Sequence, residues 1–305
     1  MKGLSSAWPY RNRCSTIVVA MTVALFVLKT TGSAEEILVG ARDIAKCGSR
    51  LKNAEATAKR LDEILSHHPE AVVFTLGDNA YRKGTTREFR ECYDTTWGRH
   101  KAATRPAVGN HEYKTKGAHP YYKYFGEAAG DAARGYYSYD LGDWHIIVLN
   151  SVCQKVGGCD IESPQHRWLV DDLKTHRRPC TLAYAHHPVF SSGKHGGHKA
   201  LRSIYETLYE YDVDVLVAGH EHNYERFAPQ DPYGLYDPVR GIQQFIVGTG
   251  GRELRRIGKG RTNSVVRDNT SYGVLKLTLH PGSFEWDFIP VAGATFRDSG
   301  KGTCH

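Results

Sequence analysis

The sequence predicts an α/β fold in which two packed mixed β-sheets are flanked by helices, and two observations predict it. Short apolar stretches of strand length alternate with amphipathic helical stretches through residue 218, and the rest of the chain is rich in strand-like segments. Alternation of this kind favours parallel strands covered by helices. The chain of 305 residues is long enough for one large domain of this class.

Strand and helix signals alternate in the first part of the chain. Residues 36–43 form an apolar stretch that ends in a carboxylate, and residues 71–76 form a second apolar stretch. Between them, residues 50–66 carry apolar side chains at helical spacing, which predicts an amphipathic helix. A further helix is predicted around residues 85–97, and a strand-like stretch follows at residues 105–108.

The later elements are predicted from turn and helix-start signals. Residues 136–140 and 144–150 flank a glycine-containing turn and predict a β-hairpin. Ser163 followed by Pro164 is typical of a helix start, with an N-cap residue before a proline at the first helical position. The remaining predicted elements are a strand at 181–185, a helix at 199–211, strands at 213–218 and 242–247, and a hairpin at 272–279 and 283–289.

Residues 1–34 have the pattern of a secretory signal peptide. Basic residues precede an almost continuous apolar run from Ile17 to Leu28, and small residues follow it. The run is short for a membrane span, so we predict that the segment is a signal peptide and is removed. The remaining chain would then have no stable membrane span and would be secreted or periplasmic. An uncleaved anchor is the alternative. The segment contains four basic and no acidic residues, so its loss lowers the net charge from +7 to +3 and weakens the case for a nucleic-acid partner.

Six of the seven cysteines lie after residue 34, and an even number suggests disulfides in an exported chain. Six cysteines allow 15 pairings. The disulfide expected first is Cys153–Cys159, which would close a tight glycine-containing loop. The other expected pairs are Cys180 with Cys304, which would tie the C-terminus to a strand, and Cys47 with Cys92.

Metal-binding side chains follow five of the predicted strands. After the strand at 213–218 comes Gly219, and then His220 and His222. In an extended segment these two imidazoles point to the same side and can reach neighbouring metal ions, whereas the alternative is two solvent-exposed loop histidines. Because the carboxyl ends of strands form the sites of open α/β sheets, we expect all these residues to form one site. The other residues of this kind are Asp43, Asp78 with Tyr81, Asn110 and His186.

The motifs around these residues resemble those of the calcineurin-like metallophosphoesterases, and within that superfamily those of the purple acid phosphatase branch. Ala45 stands where most members have a histidine ligand, and Tyr81 stands where the purple enzymes have an iron-binding tyrosinate. The resemblance implies a compact, single catalytic domain at residues 35–305. The motifs are Asp43-Ile44-Ala45, Gly77-Asp78-Asn79-Ala80-Tyr81, Gly109-Asn110-His111-Glu112, His186-His187-Pro188 and Gly219-His220-Glu221-His222.

The resemblance implies a four-layer metallophosphatase sandwich with its active site at the carboxyl ends of the strands. It also implies two metal ions, bridged by Asp78. Iron(III) would take the position with hard oxygen ligands, and iron(II), zinc or manganese would take the other. The ligands of the iron(III) position would be Asp43, Tyr81 and His222, and those of the second position would be Asn110, His186 and His220.

The implied reaction is hydrolysis of a phosphate monoester by in-line attack of a metal-bound hydroxide. The leaving alcohol needs a proton, for which His195 and His111 are both candidates; His195 could instead be an incidental histidine of a glycine-rich loop. The alternatives are a phosphodiesterase or nucleotide hydrolase on the same metals, and a non-catalytic binding protein on this scaffold. Small phosphate esters are the expected partners, and the chain could be a monomer or a homodimer.

Overall fold

The computed structural model describes residues 35–305 of the chain. The predicted signal peptide at residues 1–34 lies outside the described residues. Within residues 35–305, no helix is both long enough and apolar enough to cross a membrane. Two large β-sheets dominate the fold, and the strands and helices below are numbered along the chain.

The first sheet contains six strands of mixed direction. They are β1 (Glu36–Ala41), β3 (Val72–Leu76), β5 (Thr104–Ala107), β13 (Gly273–His280), β14 (Ser283–Pro290) and β15 (Ser299–Thr303). Their order is β15-β14-β13-β1-β3-β5. Strands β1, β3 and β5 are parallel, whereas β13 pairs with β1 in the antiparallel direction.

The second sheet contains seven strands and is also mixed. They are β6 (Tyr137–Leu141), β7 (Trp144–Leu149), β8 (Cys180–Ala185), β9 (Val215–Ala218), β10 (Tyr224–Phe227), β11 (Gln243–Val247) and β12 (Ser264–Asp268). Their order is β12-β10-β11-β9-β8-β7-β6, with β7, β8, β9 and β11 parallel. Two short strands, β2 (Ala45–Lys46) and β4 (Ala80–Tyr81), pair with each other.

The helices are α1 (Leu51–His67), α2 (Thr86–Glu88), α3 (His119–Phe125), α4 (Pro164–Thr175) and α5 (Arg202–Glu210). Helix α4 starts as predicted, because the Ser163 side chain accepts the N–H of His166. The helix predicted around residues 85–97 is broken into pieces. A π-helical turn at Phe89–Tyr93 follows α2, and a 3-10 helix at Trp97–Ala103 comes next.

The core consists of two layers because alternate residues of a strand face opposite sides of the sheet. Ile146 and Val148 of β7 belong to the core between the two sheets. Ile147 and Leu149 of the same strand pack with Leu169 of α4 and with apolar residues of α5. The predicted fold class, two packed mixed sheets flanked by helices, is therefore confirmed.

All three expected disulfides are present in the fold: Cys47–Cys92, Cys153–Cys159 and Cys180–Cys304. The Cys180–Cys304 bond joins the start of β8 in the second sheet to the residue after β15 in the first sheet. The two sheets are thus connected covalently as well as by their shared core.

Candidate metal centre

Three residues with carboxylate or imidazole side chains occupy equivalent turns, each two residues after a strand. Asp43 follows β1, Asp78 follows β3 and His220 follows β9, and their φ values are 57°, 52° and 66°. A left-handed backbone is unfavourable for residues with a Cβ and persists where the surrounding structure enforces it. His220 is therefore not in an extended segment, so the alternation argument from the sequence was wrong, although both histidines reach the centre.

The first ligand group gathers Asp43, Tyr81 and His222 beside Asp78. The hydroxyl oxygen of Tyr81 lies within hydrogen-bond distance of Asp43 Oδ1 and of Asp78 Oδ2, at 2.8 Å from the latter, and can donate its one proton to either. Nε2 of His222 lies 3.4 Å from Asp43 Oδ1. Burial, together with the neighbouring Asp43 and Asp78 carboxylates, raises the pKa of Tyr81 far above its usual value.

The second ligand group gathers Asn110, His186 and His220 on the other side of Asp78. Nε2 of His186 lies 2.7 Å from Asn110 Oδ1 and 3.3 Å from His220 Nδ1. The same nitrogen is 3.5 Å from Asp78 Oδ1. Since Oδ2 of Asp78 contacts Tyr81, the two oxygens of this carboxylate face the two groups, as a bridging ligand requires.

Backbone carbonyls orient the imidazoles. Nδ1 of His222 donates to the carbonyl of Glu253 at 2.7 Å, and Nδ1 of His186 donates to the carbonyl of Leu76 at 3.0 Å. The other nitrogen of each ring is thereby directed at the centre, an arrangement common among metal-binding histidines. Burial lowers the pKa of His222 to about 3, and it also lowers the pKa of His186 and of His220. Neutral imidazoles are the form that binds metals.

Glu112 supports the turns that carry the ligands. Its fully buried carboxylate accepts the backbone N–H of Asp78 at 2.9 Å and that of Gly109 at 2.8 Å. The turns after β3 and β5 are therefore fastened to one side chain. Although Glu112 directly follows His111 in the chain, its carboxylate holds the turn that carries Asp78.

The donor set fits a pair of metal ions. Oδ2 of Asp43 is buried without a hydrogen-bond partner among the described residues, which leaves lone pairs available at the centre. Burial raises the pKa of Asp43 to about 7. The pKa of Asp78 is lowered, since Arg42 and His111 outweigh the opposing effect of burial. Carboxylate, phenol, amide and imidazole donors together suit iron, zinc or manganese.

His111 and His195 contact different ligands. The ring of His111 packs against that of Tyr81 with centroids 4.5 Å apart, and its backbone N–H donates to Asp78 Oδ1 at 2.9 Å. The ring of His195 packs against that of His220 at 4.7 Å. Both predicted proton donors therefore adjoin the centre.

Three arginines lie near the ligands, and Arg42 is the one that sequence reasoning missed. Arg42 is fully buried in contact with Asp43 and Asp78. Arg252 lies over the ring of Tyr81, with its guanidinium carbon 4.9 Å from the centroid. Arg255 reaches within 3.5 Å of His195 Nδ1. A charged residue directly before the strand-end Asp43 was the available signal for Arg42.

The chain belongs to the calcineurin-like phosphoesterase family, whose model matches residues 47–224. Purple acid phosphatase 23 of Arabidopsis thaliana is 28% identical over 233 residues, covering 64% of this chain and 49% of that protein. Purple acid phosphatase 1 of Ipomoea batatas is 30% identical over 179 residues, covering 52% of this chain and 37% of that protein. These relatives agree with the predicted purple-acid-phosphatase-like branch, and the family implies a dinuclear metal site. The chain spans about half, or less, of the length of such relatives.

Solved structures support the same fold. A purple acid phosphatase from seeds of yellow lupin (Lupinus luteus) superposes with a TM-score of 0.75 at 18% identity, covering 89% of this chain and 54% of that one. GAP50, the anchor in the inner membrane complex of Plasmodium, superposes with a TM-score of 0.69 at 13% identity, covering 89% of both chains. At these identities the likeness concerns the fold alone.

Proposed function

We propose that residues 35–305 form the catalytic domain of an exported phosphatase that hydrolyses phosphate monoesters at a dinuclear metal centre. The observation that carries this proposal is the convergence of two ligand groups on the Asp78 carboxylate. The named acid phosphatases among the relatives support a monoester substrate. The three disulfides support export, because such bonds form and persist in oxidising compartments.

The ligand chemistry supports different metals in the two positions. Asp43, Tyr81 and His222 would hold iron(III), and Asn110, His186 and His220 would hold a divalent ion, with Asp78 shared. The raised pKa of Tyr81 supports this choice, since its hydroxyl gives up a proton only beside a strongly charged cation. Bound metals of this kind act as Lewis acids and lower the pKa of coordinated water.

The remaining groups of the site would handle charge and protons. The guanidinium of Arg255 lies beside His195, where an anionic phosphate ester would find a positive charge. His195 or His111 would donate the proton that the leaving alcohol needs. His195 is 41% exposed, so its ring is accessible to a substrate.

The test is a comparison of rates on para-nitrophenyl phosphate and on bis(para-nitrophenyl) phosphate after loading the chain with iron and zinc. We expect the monoester to be the better substrate and Asp78→Asn to abolish its hydrolysis, because the bridging charge is lost. Asp171→Asn, at an exposed aspartate of α4, is the matched control and should keep wild-type activity. A faster reaction with the diester would establish the phosphodiesterase alternative. A metal-loaded chain that is inert on both esters would point to a non-catalytic binding protein.

A further inference from the structure

The guanidinium of Arg42 occupies the middle of the ligand cluster. Its Nη2 lies 2.6 Å from Asp43 Oδ1 and 3.2 Å from Asp78 Oδ2. The same nitrogen is 3.2 Å from Nε2 of His186. These atoms are the ones that the proposed function assigns to metal ions, so a metal and the guanidinium must share them.

The two carboxylates are the counter-charge of Arg42. Among residues 35–305, its only ion pairs are those with Asp43 and Asp78, and its Nε and Nη1 are buried without a hydrogen-bond partner. An arginine keeps its charge in proteins, and a buried charge is very unfavourable unless it is paired. Arg42 therefore depends on the same carboxylates that a metal ion would use.

Packing holds Arg42 in this position. Its backbone N–H donates to the carbonyl of Val247 at 3.1 Å, and its carbonyl accepts the N–H of Gly250 at 2.8 Å. A Cβ on Gly219 would lie 1.3 Å from Cδ of Arg42, so the glycine at this position provides the space for the arginine side chain. Because Gly219 directly precedes His220, the guanidinium is enclosed by the same turn that carries a ligand.

We propose that Arg42 is a resident cation of the centre that weakens metal binding at the Asp43–Asp78 pair. The chain would then bind one metal ion tightly and a second at least about tenfold more weakly, because like charges repel strongly in a buried site. The tight ion would use Asn110, His186 and His220, since Arg42 contacts only His186 of this group. The inference rests on the metal centre of the proposed function.

Zinc titration of the metal-stripped chain tests the proposal. Calorimetry gives the affinities, and elemental analysis after desalting gives the zinc retained per chain. Arg42→Met removes the charge and keeps much of the side-chain length, whereas Arg42→Lys keeps a charge. Arg252→Met is the matched control, because Arg252 is 5% exposed and lies near Tyr81 but makes no ion pair with Asp43 or Asp78.

The expected result is one tight zinc ion in the wild type, in Arg42→Lys and in Arg252→Met, and two in Arg42→Met. Two tight zinc ions in the wild type would overturn the proposal, and this outcome does not depend on whether any variant folds. Thermal unfolding of each variant checks the fold. If the wild type binds two tight zinc ions and hydrolyses phosphate esters, the proposed role of Arg42 is wrong and the proposed function stands. If the zinc ions bind in the expected numbers but the wild type hydrolyses no phosphate ester, the proposed function is wrong and the role of Arg42 stands.

Discussion

The buried carboxylate of Glu221 accepts the backbone N–H of His195, and its Oε1 lies 3.3 Å from Nδ1 of the His195 ring. Glu221 stands between His220 and His222 in the chain, so the segment that carries His195 is fastened directly to the turn that carries two ligands. A change in that turn therefore moves a proposed proton donor together with the metal ligands.

His195→Ala should lower kcat by about 10²–10⁴-fold on an alkyl phosphate, whose poor leaving group needs a proton. The loss should be much smaller on para-nitrophenyl phosphate, because para-nitrophenolate leaves without one. Steady-state kinetics on both substrates checks this dependence. His119→Ala, at an exposed histidine, is the control. If His111→Ala shows the leaving-group dependence and His195→Ala does not, the acid is His111.

Glu112→Gln should destabilise the turn that carries Asp78. The glutamate accepts the N–H groups of Asp78, Asn79 and Gly109, and an amide NH₂ at one of these positions would face donors instead. We expect a loss of about 1–3 kcal/mol in the free energy of unfolding, measured by urea denaturation, and weaker zinc binding. Glu127→Gln changes an exposed glutamate and should alter neither quantity.

Tyr81→Phe should abolish the visible charge-transfer band expected of an iron–tyrosinate site. The phenol oxygen of Tyr81 contacts both Asp43 and Asp78, so it is placed to bind an ion held by these carboxylates. The measurement is the absorption spectrum of iron-loaded protein, with metal analysis of the same sample. Tyr113→Phe, at a tyrosine hydrogen-bonded to Asn150, should keep the band. A colourless wild type holding two divalent ions would refute the iron assignment.

His145 should make stability fall as the pH rises. Its two ring nitrogens lie 2.9 Å from Asp140 Oδ1 and 2.8 Å from Asp172 Oδ2, so both donate only when the ring is charged. Although burial lowers the pKa of His145, the hydrogen bonds to Asp172 and Asp140 raise it above its usual value. The stabilisation is complete below a pH of about 6.5, the unfolded pKa, and is lost as the pH rises through the folded pKa.

Urea denaturation at pH 5.5 and pH 8.5 measures this effect. We expect His145→Gln to reduce the stability difference between the two pH values, because the mutant side chain does not titrate and cannot donate to both Asp140 and Asp172 as the charged imidazole does. A mutant whose stability depends on pH as strongly as that of the wild type would show that other groups cause the dependence.

Replacing Cys180 and Cys304 together by serine should lower the free energy of unfolding by about 2–5 kcal/mol. The bond joins two residues that are 124 positions apart in the sequence, and it connects the two sheets. Chemical denaturation measures the loss. Zinc binding should stay unchanged, because both cysteines lie at the opposite end of β8 from His186. A loss of zinc binding in the folded variant would contradict this separation.

The sequence alone predicted the fold class, because strand and helix signals are local patterns, and the three disulfide pairs expected from it are present. Apolar stretches that end in Asp43, Asp78 or His186 mark strands and the residues that follow them, whatever the rest of the chain does. The strands that were not predicted, such as β10 and β12, carry charged residues and become strands by pairing with each other. Helix α3 was missed for a related reason, since it is fixed by aromatic packing of Tyr121 and Phe125 against Phe89.

The family resemblance implied how the ligand groups divide around Asp78, but only the tertiary structure shows the distances between the turns of different strands that carry them. The tertiary structure also corrected the prediction that His220 lies in an extended segment. Two histidines separated by one residue do not reveal a left-handed backbone at the first of them. The position of Arg42 is the clearest case. The sequence contains its charge, but only the fold encloses that charge between Asp43, Asp78 and the space left by Gly219, where it must share the carboxylates with a metal ion.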